Sequence, residues 1–133
     1  MKNSTTHSIL IIEDELPLRK ALVEKFKHEG FEVFSAADGE EGLATAISKK
    51  PDILLTDIIM PKIDGITMLA QLRAASTWGK EVPVIMLTNV TADDEITRAV
   101  NANEPAYYLV KSNWSINDIV KKVRERLATN TQT

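Results

Sequence analysis

Apolar runs of strand length alternate five times with amphipathic segments of helix length along this chain of 133 residues. The runs are Ser8 to Ile12, Phe31 to Ser35, Ile53 to Thr56, Val82 to Leu87 and Ala106 to Val110. Regular alternation of this kind argues for an α/β fold, a parallel sheet with helices on both faces. Right-handed crossovers then restrict how each unit winds onto the next.

Local signals place the helices. The first is expected from about Leu16 to Glu29, with Pro17 tolerated in its first turn and Gly30 ending it. Asp38, with Glu41 three residues on, reads as a capping box opening a helix that Pro51 terminates. Met60 to Gly65 carries the turn residues of a loop before a helix with Ile66, Leu69 and Leu72 on one side. Thr91 is placed to cap a fourth helix, with Asp94 at its third position and Ile96, Ala99 and Val100 as its apolar side. In the last helix Ile116, Ile119, Val120, Val123 and Leu127 recur at helical spacing, and Lys121, Lys122, Arg124 and Arg126 read as a solvated basic side.

Four runs end in polar groups: Glu13-Asp14, Asp57, Thr88 and Lys111. In parallel strands these endings meet at one edge of the sheet, where open α/β sheets bind ligands. Three acids, a hydroxyl and an ammonium suit a divalent cation and a phosphoryl group. Magnesium prefers oxygen ligands and is commonly held by one or two carboxylates beside a phosphate. Asp14 and Asp57 suit that role, with Glu13 as a direct or water-mediated third acid. Taken singly, Asp14 is a helix cap, Asp57 a turn residue, Lys111 a surface lysine and Thr88 a strand-end hydroxyl. Their coincidence at one edge favours chemistry.

The set resembles the receiver domain of two-component response regulators. Ile11 to Glu15, Leu54 to Gly65, Val84 to Thr88 and Tyr108 to Lys111 carry the likeness, in order, over nearly the whole chain. The resemblance implies a flavodoxin-like, doubly wound, five-stranded parallel sheet of order 2-1-3-4-5 with five helices. It implies Asp57 as phosphoacceptor and nucleophile, with Thr88 and Lys111 completing the catalytic set. Magnesium would be held by Glu13, Asp14, Asp57 and the backbone carbonyl of Ile59. Thr88 and Tyr108 would form the switch that alters the surface of the fourth helix, fifth strand and fifth helix. The expected function is a regulator phosphorylated on Asp57 by a sensor histidine kinase or phosphotransfer protein and acting on a downstream protein target. It would be a phosphoacceptor that catalyses its own phosphotransfer and dephosphorylation, not an enzyme of the usual kind.

Composition narrows the partners. A formal net charge of −3 gives no global attraction to nucleic acid, which usually needs a basic face, so direct binding is disfavoured. With no cysteine, neither a disulfide framework nor a thiolate metal site exists. No apolar run approaches the length of a signal peptide or a membrane span, so the expected location is the cytoplasm. Residues 1–7 are expected as a flexible tail, 8–128 as the receiver domain and 129–133 as a polar tail. With no output domain in view, a single-domain regulator is expected, a monomer when unphosphorylated.

Several positions depart from the family pattern. Ser112 follows Lys111 where most receivers have a proline in a cis peptide, which leaves a trans peptide and a strained loop both open. Asn103-Glu104-Pro105-Ala106 precedes the last strand, which should begin after the proline. Ile59 and Val90 occupy positions that, in the family, flank the path of the hydrolytic water, and neither side chain can orient one. Tyr107 faces opposite to Tyr108, and one of the two is a candidate core aromatic. Trp114 reads as a packing residue, and His7 and His28 as surface residues.

Three rivals share parts of this pattern. A flavodoxin would need a first loop rich in Ser, Thr and Gly, where this chain has Glu13-Asp14-Glu15. A phosphatase of the haloacid-dehalogenase type needs a second Asp at position 59. A degenerate receiver serving as a protein-interaction scaffold would not need Asp57, Thr88 and Lys111 together.

Overall fold

The computed structural model describes residues 6–89, 98, 105 and 107–130. The order is β1 (Ser8–Ile12), α1 (Leu16–His28), β2 (Glu32–Ala36), α2 (Gly39–Lys49), β3 (Ile53–Thr56), α3 (Gly65–Ala75), α4 (Thr77–Glu81), β4 (Val84–Thr88), β5 (Tyr107–Val110) and α5 (Ile116–Asn130). The sheet has the order β2-β1-β3-β4-β5, and every pairing is parallel. The parallel sheet is what the alternation called for, and its order is the doubly wound, flavodoxin-like one that the resemblance implied.

Successive strand residues point to opposite faces, so a strand covered on both sides must be apolar throughout. β1 shows this directly. Ile9 and Ile11 join Leu22 and Phe26 of α1 and Val123 of α5 in one core, while Leu10 and Ile12 join Met68, Leu69 and Leu72 of α3 in the other. In α5 the buried side chains are Ile119, Val120, Val123 and Leu127. Burying each is worth about 1.5–3 kcal/mol, against at most ~0.7 kcal/mol for the weaker helix propensity of a β-branched residue. Packing therefore decides the helix.

The ends follow local chemistry. Gly30 at φ +93° donates to the Lys27 carbonyl, Phe31 donates to that of Phe26, and the Phe26 and Phe31 rings meet edge to face at 5.1 Å. That is the paired-bond C-terminal motif with its apolar clasp, and it needs a residue free to adopt positive φ. Asp38 caps α2 by accepting from the Glu41 amide at 2.8 Å, while the Glu41 carboxylate accepts from the Ala37 amide at 3.1 Å. Thus the capping box forms, its return bond falling one residue earlier than the standard partner.

The boundaries differ from expectation in places. β2 begins one residue later, at Glu32, and β4 begins at Val84. Pro83 has no N–H for the ladder, although its carbonyl accepts from Leu54. The short helix α4 was not foreseen: Ser76, in extended conformation, caps it by accepting from the Gly79 amide at 2.9 Å. One turn is too short for a periodic signal. α5 continues to Asn130, past the expected start of the polar tail, since no Gly or Pro interrupts it. Thr91, Asp94, Ile96, Ala99 and Val100, the expected helix after β4, lie outside the described residues, as do Val90 and Ala106.

The basic side of α5 is more than a solvated face. Arg124 donates to the carbonyl and carboxylate of Glu29, at 2.9 and 3.0 Å, and lies over the Phe31 ring. Lys122 lies over the rings of Tyr107 and Trp114. His7 is half-buried, 3.7 Å from Asp52 and against Phe31. Among the described residues, no helix is long and apolar enough to cross a membrane.

Candidate functional site

The parallel register carries Glu13, Asp57, Thr88 and Lys111 to the same edge of the sheet. Asp57 follows the last residue of β3 and is 6% exposed; its amide donates to the Ile12 carbonyl at the end of β1. Its Oδ1 accepts from the Ile58 amide at 2.6 Å and from the Ile59 amide at 3.4 Å. Oδ2 accepts from Lys111 Nζ at 2.8 Å. The carboxylate is thus held at both oxygens, by its own loop and by the lysine that follows β5.

Glu13 is equally buried and comes from the end of β1, where its amide donates to the Ala36 carbonyl of β2. One carboxylate oxygen lies 2.8 Å from Lys111 Nζ, and the other accepts from the Glu15 amide at 3.0 Å. Asp14 is exposed. It does not cap α1, because the N-cap position is Glu15. Glu13, Asp14 and Asp57 can each bring a carboxylate oxygen within 4.8 Å of the other two. Hard oxygen donors in that number and spacing fit magnesium, which keeps waters in its remaining positions.

A pocket of about 360 Å³ opens over these groups, lined by Asp14, Glu15, Asp57, Ile59, Thr88 and Asn89. Thr88 is fully buried beneath it at the end of β4, whereas the Ile59 side chain is 64% exposed at its wall. Gly65 closes the loop behind Asp57. A Cβ there would run into the Asp57 carbonyl, so the first residue of α3 must be glycine for the loop to sit against β3.

A sequence model described as the response regulator receiver domain matches residues 9–124. The chain belongs to this family. The transcriptional regulatory protein PdtaR of Mycobacterium tuberculosis (strain CDC 1551 / Oshkosh) is 34% identical to this receiver domain over 116 residues, 86% of this chain and 54% of that protein. A probable transcriptional regulator, ycf27 of Porphyridium aerugineum, is 40% identical over 67% of this chain and 36% of that protein. The chain thus spans about half or less of these relatives' length. Among solved structures, the chemotaxis response regulator CheY4 of Vibrio cholerae superposes with a TM-score of 0.82 at 27% identity, covering 91% of this chain and 98% of that one. The CheY of a CheX-CheY-BeF3-Mg complex from Borrelia burgdorferi gives 0.80 at 27% identity, covering 91% and 89%.

The charges in this receiver domain are strongly coupled. Burial raises the Glu13 pKa above its ordinary value, and the hydrogen bond from Lys111 only partly offsets that. Burial also works against the Lys111 ammonium, but its bonds to Asp57 and Glu13 outweigh it and raise the lysine pKa. A lysine charged under all ordinary conditions therefore stands between two carboxylates.

The two tyrosines divide between the faces. Tyr107 packs against the α1 and α5 side and donates from its hydroxyl to Glu125 at 2.7 Å; Tyr108 packs, partly buried, against the core that holds α3. The Lys111–Ser112 peptide is trans, and Lys111 to Asn113 form a single 3-10 turn.

Sequence reasoning passed over three contributors. Glu15 lies 3.4 Å from Lys111 Nζ. Arg19 donates to the Glu13 carbonyl at 2.8 Å, steadying the loop after β1. Asp64 caps α3 by accepting from the Thr67 amide at 2.8 Å, a signal that the spacing Asp64-Gly65-Ile66-Thr67 carried in plain sight.

Proposed function

We propose that residues 8–128 act as a response-regulator receiver that accepts a phosphoryl group on Asp57 from a sensor histidine kinase or phosphotransfer protein. What supports this reading above all is one carboxylate held between a buried ammonium and two further acids, with an open pocket above it. An Asp57 carboxylate oxygen attacks phosphorus, the phosphorus–nitrogen bond of the donor histidine breaks, and its electron pair returns to the imidazole. Glu13, Asp14, Asp57 and the Ile59 carbonyl would hold magnesium, which when bound neutralises charge on the phosphoryl oxygens. Lys111 pairs with one phosphoryl oxygen as it leaves Asp57, and the Thr88 hydroxyl donates to another.

Thr88 and Tyr108 then form the switch. As Thr88 follows the phosphoryl group, Tyr108 turns inward and the surface around β5 and α5 changes for a downstream protein target. The chain works in the cytoplasm, as a monomer while unphosphorylated, without touching nucleic acid itself. The test is incubation with acetyl phosphate and magnesium followed by mass spectrometry. One added phosphoryl group is expected, absent in Asp57→Asn and absent with chelator. Persistence of the label in Asp57→Asn would sink the assignment.

A further inference from the structure

We infer that Glu15 is a specificity-determining residue, setting a charge barrier against small anionic phosphodonors at the Asp57 pocket; the inference rests on the reading of Asp57 as phosphoacceptor. Glu15 stands at the N-cap of α1, and its side chain makes no bond to the first-turn amides, a capping role that suits the shorter Ser, Thr, Asp and Asn rather than Glu. The carboxylate turns instead toward the site, 3.4 Å from Lys111 Nζ, and lines the pocket with Asp14, Asp57 and Thr88. Its side chain is 60% exposed, against 3% for Glu13 and 8% for Asp57. Of the three acids around Lys111, Glu15 alone combines a place in the pocket lining with a largely exposed side chain.

That position gives its charge two effects of the same sign. An entering phosphate group meets a fixed negative charge on its path. It must also draw the Lys111 ammonium away from carboxylates that already hold it, Glu15 among them. Toward a cation the same charge is attractive. A protein donor whose docking face carries Lys or Arg can pair with Glu15 and cancel the barrier, whereas a small donor brings no cation of its own. With acetyl phosphate the Asp57 oxygen bonds to phosphorus while the bond from phosphorus to the acetyl oxygen breaks, and acetate leaves with the electron pair. The barrier lies before that step, in the approach of the anion.

The experiment compares the parent chain with Glu15→Gln and Glu15→Asp, using acetyl phosphate at saturating magnesium and following phosphorylated protein by mass spectrometry. At low ionic strength Glu15→Gln should react about threefold faster, the factor that one charge roughly 6 Å away gives in a water-like dielectric. The gain should fade in ~1 M salt, where screening acts over about 3 Å. Glu15→Asp should keep the parent rate. Magnesium affinity, titrated separately without donor, should fall in Glu15→Gln. A rate in Glu15→Gln equal to or below the parent's, or a gain indifferent to salt, overturns the inference while leaving Asp57 as acceptor. Absence of label on the parent protein overturns both.

Discussion

Lys111 Nζ stands 2.8 Å from Asp57 Oδ2, joining two residues 54 positions apart in the chain. The same ammonium is 2.8 Å from Glu13, so a single cation balances two buried acids. A buried charge deprived of its partner is far more costly than the pair is stabilising.

Replacing Lys111 should therefore damage the fold as well as the chemistry. Lys111→Met keeps the length of the stem and removes the charge, leaving Glu13 and Asp57 facing each other. In chelator the variant should lose about 3 kcal/mol of stability, as expected when one member of a buried pair is removed. Magnesium should restore more stability to the variant than to the parent. Urea unfolding followed by circular dichroism, with and without magnesium, measures both. Equal stability in chelator would show that the ammonium is not what holds the two acids.

Asp14 offers a cleaner separation of fold from function. Its side chain is exposed and caps no helix. Asp14→Asn should leave the melting temperature unchanged and weaken magnesium binding by at least the ~10-fold that even an outer-shell partner of a metal is worth. Phosphorylation should weaken in step. A magnesium titration by NMR or tryptophan fluorescence is the measurement, and unchanged affinity would remove Asp14 from the metal set.

The phosphorylated form should be long-lived for a receiver. The Ile59 side chain at the pocket wall has no group to align a water in line with the phosphorus, and Val90, outside the described residues, has none either. Positioning accounts for much of the rate in reactions of this kind. The double variant Ile59→Asn, Val90→Glu should lose its phosphoryl group severalfold faster. Equal decay, or faster decay in the parent, would show that these side chains do not control the water.

The Arg124–Glu29 bridge between α5 and the end of α1 should show in acid. The Arg124 bond, then that of Lys25, lowers the Glu29 pKa below its ordinary 4.5. A carboxylate with a depressed folded-state pKa stabilises fully above its unfolded value and loses that contribution as pH falls through the folded one. The parent should thus melt higher than Arg124→Met near pH 7, by a margin that salt reduces. The margin should shrink as pH drops below about 4.5, the ordinary glutamate value. Thermal melts of both proteins across that range decide it, and a margin constant with pH would remove Glu29 from the account.

Strands and helix faces were legible because both periodicities are local properties of the sequence, whereas the strand order came only from the resemblance to receiver domains. Ile9 and Ile11 face one core and Leu10 and Ile12 the other merely because strand side chains alternate. Asp57, Thr88 and Lys111 could be placed at one edge for the same reason: each ends an apolar run, and parallel strands end together. The short helix α4 escaped because one turn has no period to read, and the Arg124 bridge because its partner is 95 residues away. Glu15 shows the division most clearly. The sequence by itself placed it beside two other acids at the start of a helix. Only the packing of β5 beside β4 brought Lys111 within 3.4 Å of it and drew its carboxylate to the pocket. Charge pairing across a sheet depends on where distant strands end in space, and local chain chemistry holds no record of that distance.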